Sequence, residues 1–300
     1  MPAGATSQIH AFVRSLRPEQ WSKNSVVFAG LLFGGRLTQG PDYLTAAVST
    51  FLVFCGLSGT VYIVNDIADR AADAGHPLKR RRPIAAGALA PGPALAGAAV
   101  LAVACLAGAF AVSIRLGLVS LAYLGLLSLY SFWLKHLVIL DVLTIAVGFV
   151  LRAVAGAVAV SVMISPWLLI CVTLLAVFVS LAKRRHELTL LGAGAGGHRA
   201  SLAAYSPYLL DQMISVVTAA TLVAYIVYTT SSDTATRVGS GALSLTIPFV
   251  LYGLFRYLYL VHQEDQGGSP TNMLVTDRGL MVCVALWALT VGALFYHPWR

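Results

Sequence analysis

The stretch from Tyr62 to Gly87, YIVNDIADRAADAGHPLKRRRPIAAG, decides how the chain folds, because an uncharged run ends inside it and both charge signs then arrive together. The run 43–64 has no charged residue, and it supplies the roughly 20 apolar residues that a helix needs to cross hydrocarbon. Asp66, Asp69 and Asp73 follow, interleaved with Arg70 and then joined by Lys79, Arg80, Arg81 and Arg82. A helix leaving a membrane explains the change of composition. It does not explain why acids and bases should leave together.

Outward from this stretch the same alternation recurs. Apolar runs at 18–35, 43–64, 92–113, 116–134, 138–160, 164–182, 208–230, 244–262 and 279–296 predict nine spans. The first has the shortest core, with Arg14, Arg17 and Lys23 before it; it lacks a small-residue cleavage site and is expected to be retained. Of the 300 residues, 58% are hydrophobic and only 11% charged, against about 25% charged in soluble domains. The expected fold is an all-α polytopic membrane protein of nine helices. Residues 1–300 read as one transmembrane domain, with 1–17 as a cytoplasmic amino-terminal segment.

Orientation follows from lysine and arginine, which accumulate on cytoplasmic loops. With the amino terminus inside, all but Arg36, Arg115, Arg237 and Arg300 of the 20 basic residues fall on or toward the cytoplasmic side, and the carboxyl terminus lies outside. The net charge of +8 is then a one-sided field that also attracts anionic lipid. Topology signals need no acid, yet Asp66, Asp69, Asp73, Asp141, Glu187, Asp211, Glu264, Asp265 and Asp277 fall on that same half. Mixed charge on one face points to a site. No nucleic acid is expected as a partner, and a homo-oligomer is left open. Cys55, Cys105, Cys171 and Cys283 stand singly within spans, with no disulfide or zinc spacing. Gly192 to Gly197 lacks the lysine of a phosphate-binding loop and reads as a plain loop.

On a continuous helix Asp66, Asp69 and Asp73 lie within about 60° of one another and Asn65 within about 40° of Asp69, which predicts one acidic face. Carboxylates on successive turns repel unless a cation lies among them, and hard oxygen donors suit Mg2+. His76-Pro77 breaks the helix, and the basic run folds back over that face. Metal with guanidinium groups is a clamp for a diphosphate. Acids for the metal and bases for the phosphate answer the opening contrast.

The pattern NDxxDxxxD at the end of the second span resembles the first motif of the UbiA-type intramembrane transferases, whose members bind a magnesium diphosphate in a central cavity; the resemblance implies nine helices around such a cavity, open to the cytoplasm. The segments RPEQWSKN, YSFWLKHLVILD and LAKRRHEL narrow the resemblance to the actinobacterial branch that transfers phosphoribosyl to decaprenyl phosphate. Ordinary prenyltransferases of the superfamily carry a second aspartate-rich motif after the sixth span. Here Lys183, Arg184, Arg185, His186 and Glu187 stand in its place, and for a prenyl diphosphate and an uncharged aromatic those cations have no evident anion.

The resemblance implies Asn65, Asp66, Asp69 and Asp73 for the metal, and Lys79, Arg80, Arg82, Lys183 and Arg184 for donor phosphates. Tyr130, Lys135, Asp141, Arg152 and Glu187 are expected to position substrate, and Lys23, Asp211 and Arg256 are further candidates. Several admit plainer readings: Tyr130 as an interfacial tyrosine, Lys135 as a snorkelling anchor, Lys183 to Arg185 as a topology signal, and Asp211 as a helix-start acid. Asp141, Thr144, Gly148, Arg152 and Gly156 share one face of the fifth span, and Arg152 is expected to mark the depth of a wet cavity. A direct Asp141–Arg152 pair is the alternative, disfavoured by about 16 Å of helical rise.

By resemblance, the expected reaction transfers 5-phosphoribosyl from phosphoribosyl diphosphate to a polyprenyl phosphate, a precursor step for cell-wall arabinan, in the bacterial inner membrane. Two rivals are an aromatic prenyltransferase of the same fold and a transporter, the latter expected to hold its site near the midplane between inverted repeats.

Overall fold

The computed structural model describes residues 5–191, 200–238, 241–263, 273 and 276–296. The Gly192–Gly197 loop, Arg199, Glu264, Asp265 and Arg300 lie outside the described residues. Those described form helices: α1 (Ala5–Ser15), α2 (Ala29–Phe33), α3 (Pro41–Ala68), α4 (Arg70–Gly75), α5 (Pro91–Val112), α6 (Ile114–Phe132), α7 (Leu140–Ala159), α8 (Pro166–Leu191), α9 (Ala200–Ala203), α10 (Pro207–Thr230), α11 (Ser232–Val238), α12 (Ile247–Gln263) and α13 (Arg278–Tyr296). Proline opens α3, α5, α8 and α10, where its missing N–H costs no hydrogen bond. Ser113 caps α6 by accepting from Leu116 N at 3.1 Å, and Ser206 caps α10 by accepting from Leu209 N at 3.1 Å.

Eight helices among the described residues are long and apolar enough to cross a membrane, not nine. The predicted first span, 18–35, is instead a 3₁₀ strap over Pro18–Phe28 followed by the five residues of α2. Its sequence gives the reason. PEQWSKNS has no continuous apolar face: Glu19, Ser22 and Ser25 are exposed, while Asn24 is buried, bonded to Ser58 and Arg152.

The strap lies against α3 and α7. Its approach is possible because α7 offers small residues there: a methyl group added to Gly156 would stand 1.8 Å from the Val27 carbonyl oxygen, and one on Gly30 would stand 2.7 Å from Ala157 Cα. The small-residue face of α7 is therefore covered by the strap at Gly156, and Arg152, one turn earlier, is buried with its guanidinium bonded to Asn24 of the strap.

Neighbouring helices follow chain order, α3 on α5, α5 on α6, α6 on α7, α7 on α8, α8 on α10, α10 on α12 and α12 on α13. Tyr296 at the end of α13 donates to Leu32 O at 2.7 Å, joining the last helix back to α2. Val27, Phe54, Leu57, Leu116, Tyr123 and Ala155 fill one core between the strap, α3, α6 and α7. Val142, Phe178, Leu181, Leu210, Ile214 and Tyr257 fill another among α7, α8, α10 and α12. Apolar side chains left outside, such as Val100, Ile114 and Leu289, are the lipid-facing surface of a spanning bundle.

Candidate active site

Ion pairs gather at the end of the bundle where α3, α6 and α8 finish and α7 and α10 begin. The three aspartates do not share one uninterrupted helical face. α3 stops at Ala68, and Asp69 (φ −93°, ψ 5°) is the joint before α4. Asp66 and Asp73, on either side of the joint, share one cation, whereas Asp69 at the joint takes another. Arg82 reaches back 3.0 Å to Asp66 and 2.6 Å to Asp73, both buried. Asp69, about a quarter exposed, pairs with Lys135, while Asn65 Nδ2 donates to its other oxygen at 3.0 Å.

The fold-back of the basic run depends on His76, whose Nδ1 accepts from Leu78 N at 3.1 Å and Lys79 N at 3.3 Å. Lys79 is half-buried in the turn that follows, whereas Arg80 stays exposed. Lys135 is 3% exposed and lies 3.4 Å from Asn65 Oδ1, so it is no snorkelling anchor.

Arg17 was read in the sequence only as a topology charge, and the structure puts it in the site. It turns in the left-handed region (φ 54°, ψ 65°) between α1 and the strap, lies 4.8 Å over the Tyr62 ring and donates to Asp66. The turn at Arg17-Pro18 and the place of Arg17 at the head of RPEQWSKN were the available sequence signals.

A second centre surrounds Asp141, which is fully buried. Arg184 Nε meets it at 3.1 Å, Tyr205 OH donates to it at 2.9 Å, and Ser201 Oγ lies 3.3 Å away. Arg184 also pairs with Glu187 and lies 3.5 Å from Tyr130 OH. Burial pushes the Tyr205 phenol up to about 12, so it remains a donor at neutral pH. Ser201 Oγ donates to Lys135 O at 3.0 Å, which ties this centre to the acidic motif. Ser201 and Tyr205 carried no sequence signal, because only tertiary folding brings them to Asp141.

The expectation that the basic run after the sixth span lacks anions is overturned: Arg184 is balanced by Asp141 and Glu187, and Arg185 meets Asp211 at 2.5 Å. Lys183 is half-buried beside them. Asp211 also faces His262 at 3.2 Å, so it links α8, α10 and α12. Arg256 pairs with Asp277 at 2.7 Å and holds that carboxyl below the ordinary carboxylate range.

Arg152 does not meet Asp141. It donates to Asn24 Oδ1 at 2.7 Å and to Tyr123 OH at 2.6 Å, on the far side of the site, with half-buried Lys23 in the strap beside it.

Among the described residues no three His, Cys, Asp or Glu side chains converge as a metal site; Arg82 bridges Asp66 and Asp73, and Asp69 turns to Lys135. The donor chemistry nevertheless suits a hard cation. Asn65, Asp66, Asp69 and Asp73 present only oxygen and amide groups, and Asp66 Oδ2 is buried with no hydrogen-bond partner. The arrangement can exchange partners: carboxylates released to a cation free guanidinium and ammonium groups for phosphate oxygens.

The profile of the UbiA prenyltransferase family matches residues 25–276. A decaprenyl-phosphate phosphoribosyltransferase of Mycolicibacterium smegmatis is 32% identical, over 96% of this chain and 93% of its own length. One of Mycobacterium tuberculosis is 34% identical, over 94% and 93%. Among solved structures, a UbiA homolog from Archaeoglobus fulgidus bound to GPP and Mg2+ superposes with a TM-score of 0.72, at 17% identity, over 95% of this chain and 99% of that one.

Proposed function

The chain belongs to the UbiA prenyltransferase family, and from that premise we propose that it transfers a 5-phosphoribosyl group from phosphoribosyl diphosphate to a polyprenyl phosphate in the bacterial inner membrane. Its amino terminus and the charged end of the bundle face the cytoplasm in this reading, and its carboxyl terminus lies outside. The product, a polyprenyl-phospho-β-ribose 5-phosphate, feeds cell-wall arabinan. The observation that carries the proposal is that α8 ends in Lys183, Arg184 and Arg185 at the same end of the bundle as Asp66, with no aspartate in the sequence from 183 to 199. A second aspartate-rich motif would have to stand there for a prenyl diphosphate. The names of the relatives at 32% and 34% identity support the same substrates.

Asn65, Asp66, Asp69 and Asp73 would hold Mg2+, and the chemistry it supplies when bound is charge neutralisation at the leaving diphosphate. Arg17 and Arg82, which lie against Asp66 and Asp73, and Lys79 in the same basic turn would bind the diphosphate oxygens. The bond from the anomeric carbon to the diphosphate breaks with its electron pair, and an acceptor phosphate oxygen forms the new bond from the opposite face, inverting that carbon. The acceptor needs no general base, since a phosphate monoester with a second pKa of about 6 is already ionised at neutral pH. Lys183 and Lys135 hold the two anions together, which is positioning more than proton transfer. Asp141, Glu187, Tyr205 and Tyr130 fix the Arg184 guanidinium.

The deciding experiment incubates purified protein in detergent with Mg2+, labelled phosphoribosyl diphosphate and polyprenyl phosphate. Label is expected in the lipid phase. Lipid product from a prenyl diphosphate and hydroxybenzoate, with none from the ribosyl donor, would hand the chain to aromatic prenyl transfer.

A further inference from the structure

Arg17, Arg82, Lys135, Arg184, Arg185 and Arg256 each meet a carboxylate. Arg152 does not. It is 5% exposed, and among the described residues every group it touches is neutral: Asn24 Oδ1 at 2.7 Å, Tyr123 OH at 2.6 Å, Gly148 O at 3.1 Å and Ser58 Oγ at 3.4 Å. The Tyr123 and Phe149 rings lie at 4.7 and 5.0 Å. Oxygen dipoles and ring faces soften a buried positive charge without cancelling it, and an ionisable group within a membrane bundle is costly to keep there.

Its place in the bundle supplies direction. Ser58, Tyr62 and Asp66 stand one turn apart along one face of α3, so Ser58 lies about 12 Å inward of Asp66. Arg17 covers Tyr62 between them. Lys23, next to Asn24 in the strap, is close enough to interact electrostatically with both Arg152 and Arg17. Three cations therefore run inward from the acidic motif, and the innermost has no counter-charge.

We infer that Arg152, with Lys23 and Asn24, forms a subsite for a phosphate monoester, occupied by the 5-phosphate of the donor whose diphosphate lies at Asp66. This deepens the phosphoribosyl-transfer reading and rests on it. The acceptor's phosphate is the other source of the same chemistry, but it carries a polyprenyl tail that must reach lipid. Arg152 is enclosed by the strap through Asn24, by α3 through Ser58, by α6 through Tyr123 and by α7 through Gly148 and Phe149. The subsite also accounts for donor choice, since a prenyl tail extending inward from the diphosphate would meet a guanidinium and an ammonium.

The test measures binding, not turnover, by calorimetry on the whole protein in detergent. The probes are ribose 5-phosphate, diphosphate with Mg2+, and a polyprenyl phosphate. Arg152→Gln is expected to weaken ribose 5-phosphate by about ten- to a hundredfold, the worth of one charge-assisted contact, and diphosphate by less than about threefold. Arg152→Lys should lose less than Arg152→Gln. Lys23→Gln, which leaves the Arg152 hydrogen bonds in place, should show the same selective loss and keeps the idea testable if Arg152→Gln fails to fold. No binding of ribose 5-phosphate to the wild type overturns the inference. So does a parallel fall for ribose 5-phosphate and diphosphate, which marks a structural role, or a loss confined to polyprenyl phosphate, which marks an acceptor site. The absence of lipid labelling by the wild type would sink phosphoribosyl transfer itself, and it is scored in a separate assay.

Discussion

Arg17 donates to the Asp66 carboxylate across 49 positions of sequence, so the segment before the strap is part of the acidic centre. Asp66 thereby has two guanidinium partners, Arg17 and Arg82, on one of its oxygens, and its second oxygen is left without any. A carboxylate crowded on one side and vacant on the other is poised to exchange partners. The left-handed turn at Arg17 fixes where that side chain starts.

Arg17 and Arg14 should therefore differ, although both precede the first apolar run. Arg17→Gln removes a charge-assisted contact at the site and is expected to lower the transfer rate about ten- to a hundredfold. Arg14→Gln, at an exposed position, should stay within about twofold of wild type. Equal behaviour in the lipid-labelling assay would return Arg17 to the role of a topology charge.

Asp66→Asn and Asp69→Asn should each abolish turnover while the protein still purifies folded, because the hard oxygen donors for the cation are weakened. Diphosphate release is measured against Mg2+ concentration. Near-normal rates at saturating Mg2+ would remove both residues from the metal set.

Where apolar runs are long, their hydropathy was enough to find the helix, and all eight spans from Pro41 onward fall where the sequence predicts them. The run 18–35 failed because its apolar residues crowd into 26–33, too few to span, and because Asn24 before them has partners, Ser58 and Arg152, that are remote in sequence. The charges at Asp66, Asp69, Asp73, Arg82 and Arg184 were legible as a group, since lipid tolerates such residues only at an end or inside a bundle. Which charge meets which was not. The pairs of Asp69 with Lys135 and Asp141 with Arg184 join different helices, and residue spacing within one helix carries no information about its neighbours.

Gly156→Ala tests the docking of the strap. The added methyl would stand 1.8 Å from the Val27 carbonyl oxygen, and backbone on both sides leaves nothing flexible to yield. Overpacking of this kind costs about 1–3 kcal/mol or more. The variant is expected to melt at lower temperature and to expose the strap to protease, whereas Gly125→Ala, with open space around it, should behave as wild type. An unchanged melting curve for Gly156→Ala would mean that the strap does not sit against α7.

Arg184 and Lys183 are neighbours in sequence with different consequences when neutralised. Arg184 and Asp141 are a buried pair at 3.1 Å, with Tyr205 completing the carboxylate's shell. Removing one partner of such a pair strands the other charge and costs about 3–5 kcal/mol, whereas removing both costs less. Asp141→Asn and Arg184→Gln are thus each expected to lower the melting temperature in detergent, and the double variant should recover part of the loss. Lys183→Gln should act chiefly on substrate, raising the apparent KM for a phosphorylated substrate about ten- to a hundredfold, as loss of one charge-assisted contact would, with a smaller drop in melting temperature than Arg184→Gln. The contrast separates a guanidinium that holds helices α7 and α8 together from an ammonium that meets substrate. If Arg184→Gln melts normally and loses only substrate affinity, the Asp141 pair is not structural. If Lys183→Gln leaves both melting and KM unchanged, the end of α8 is a positive flank of the bundle and not a phosphate site.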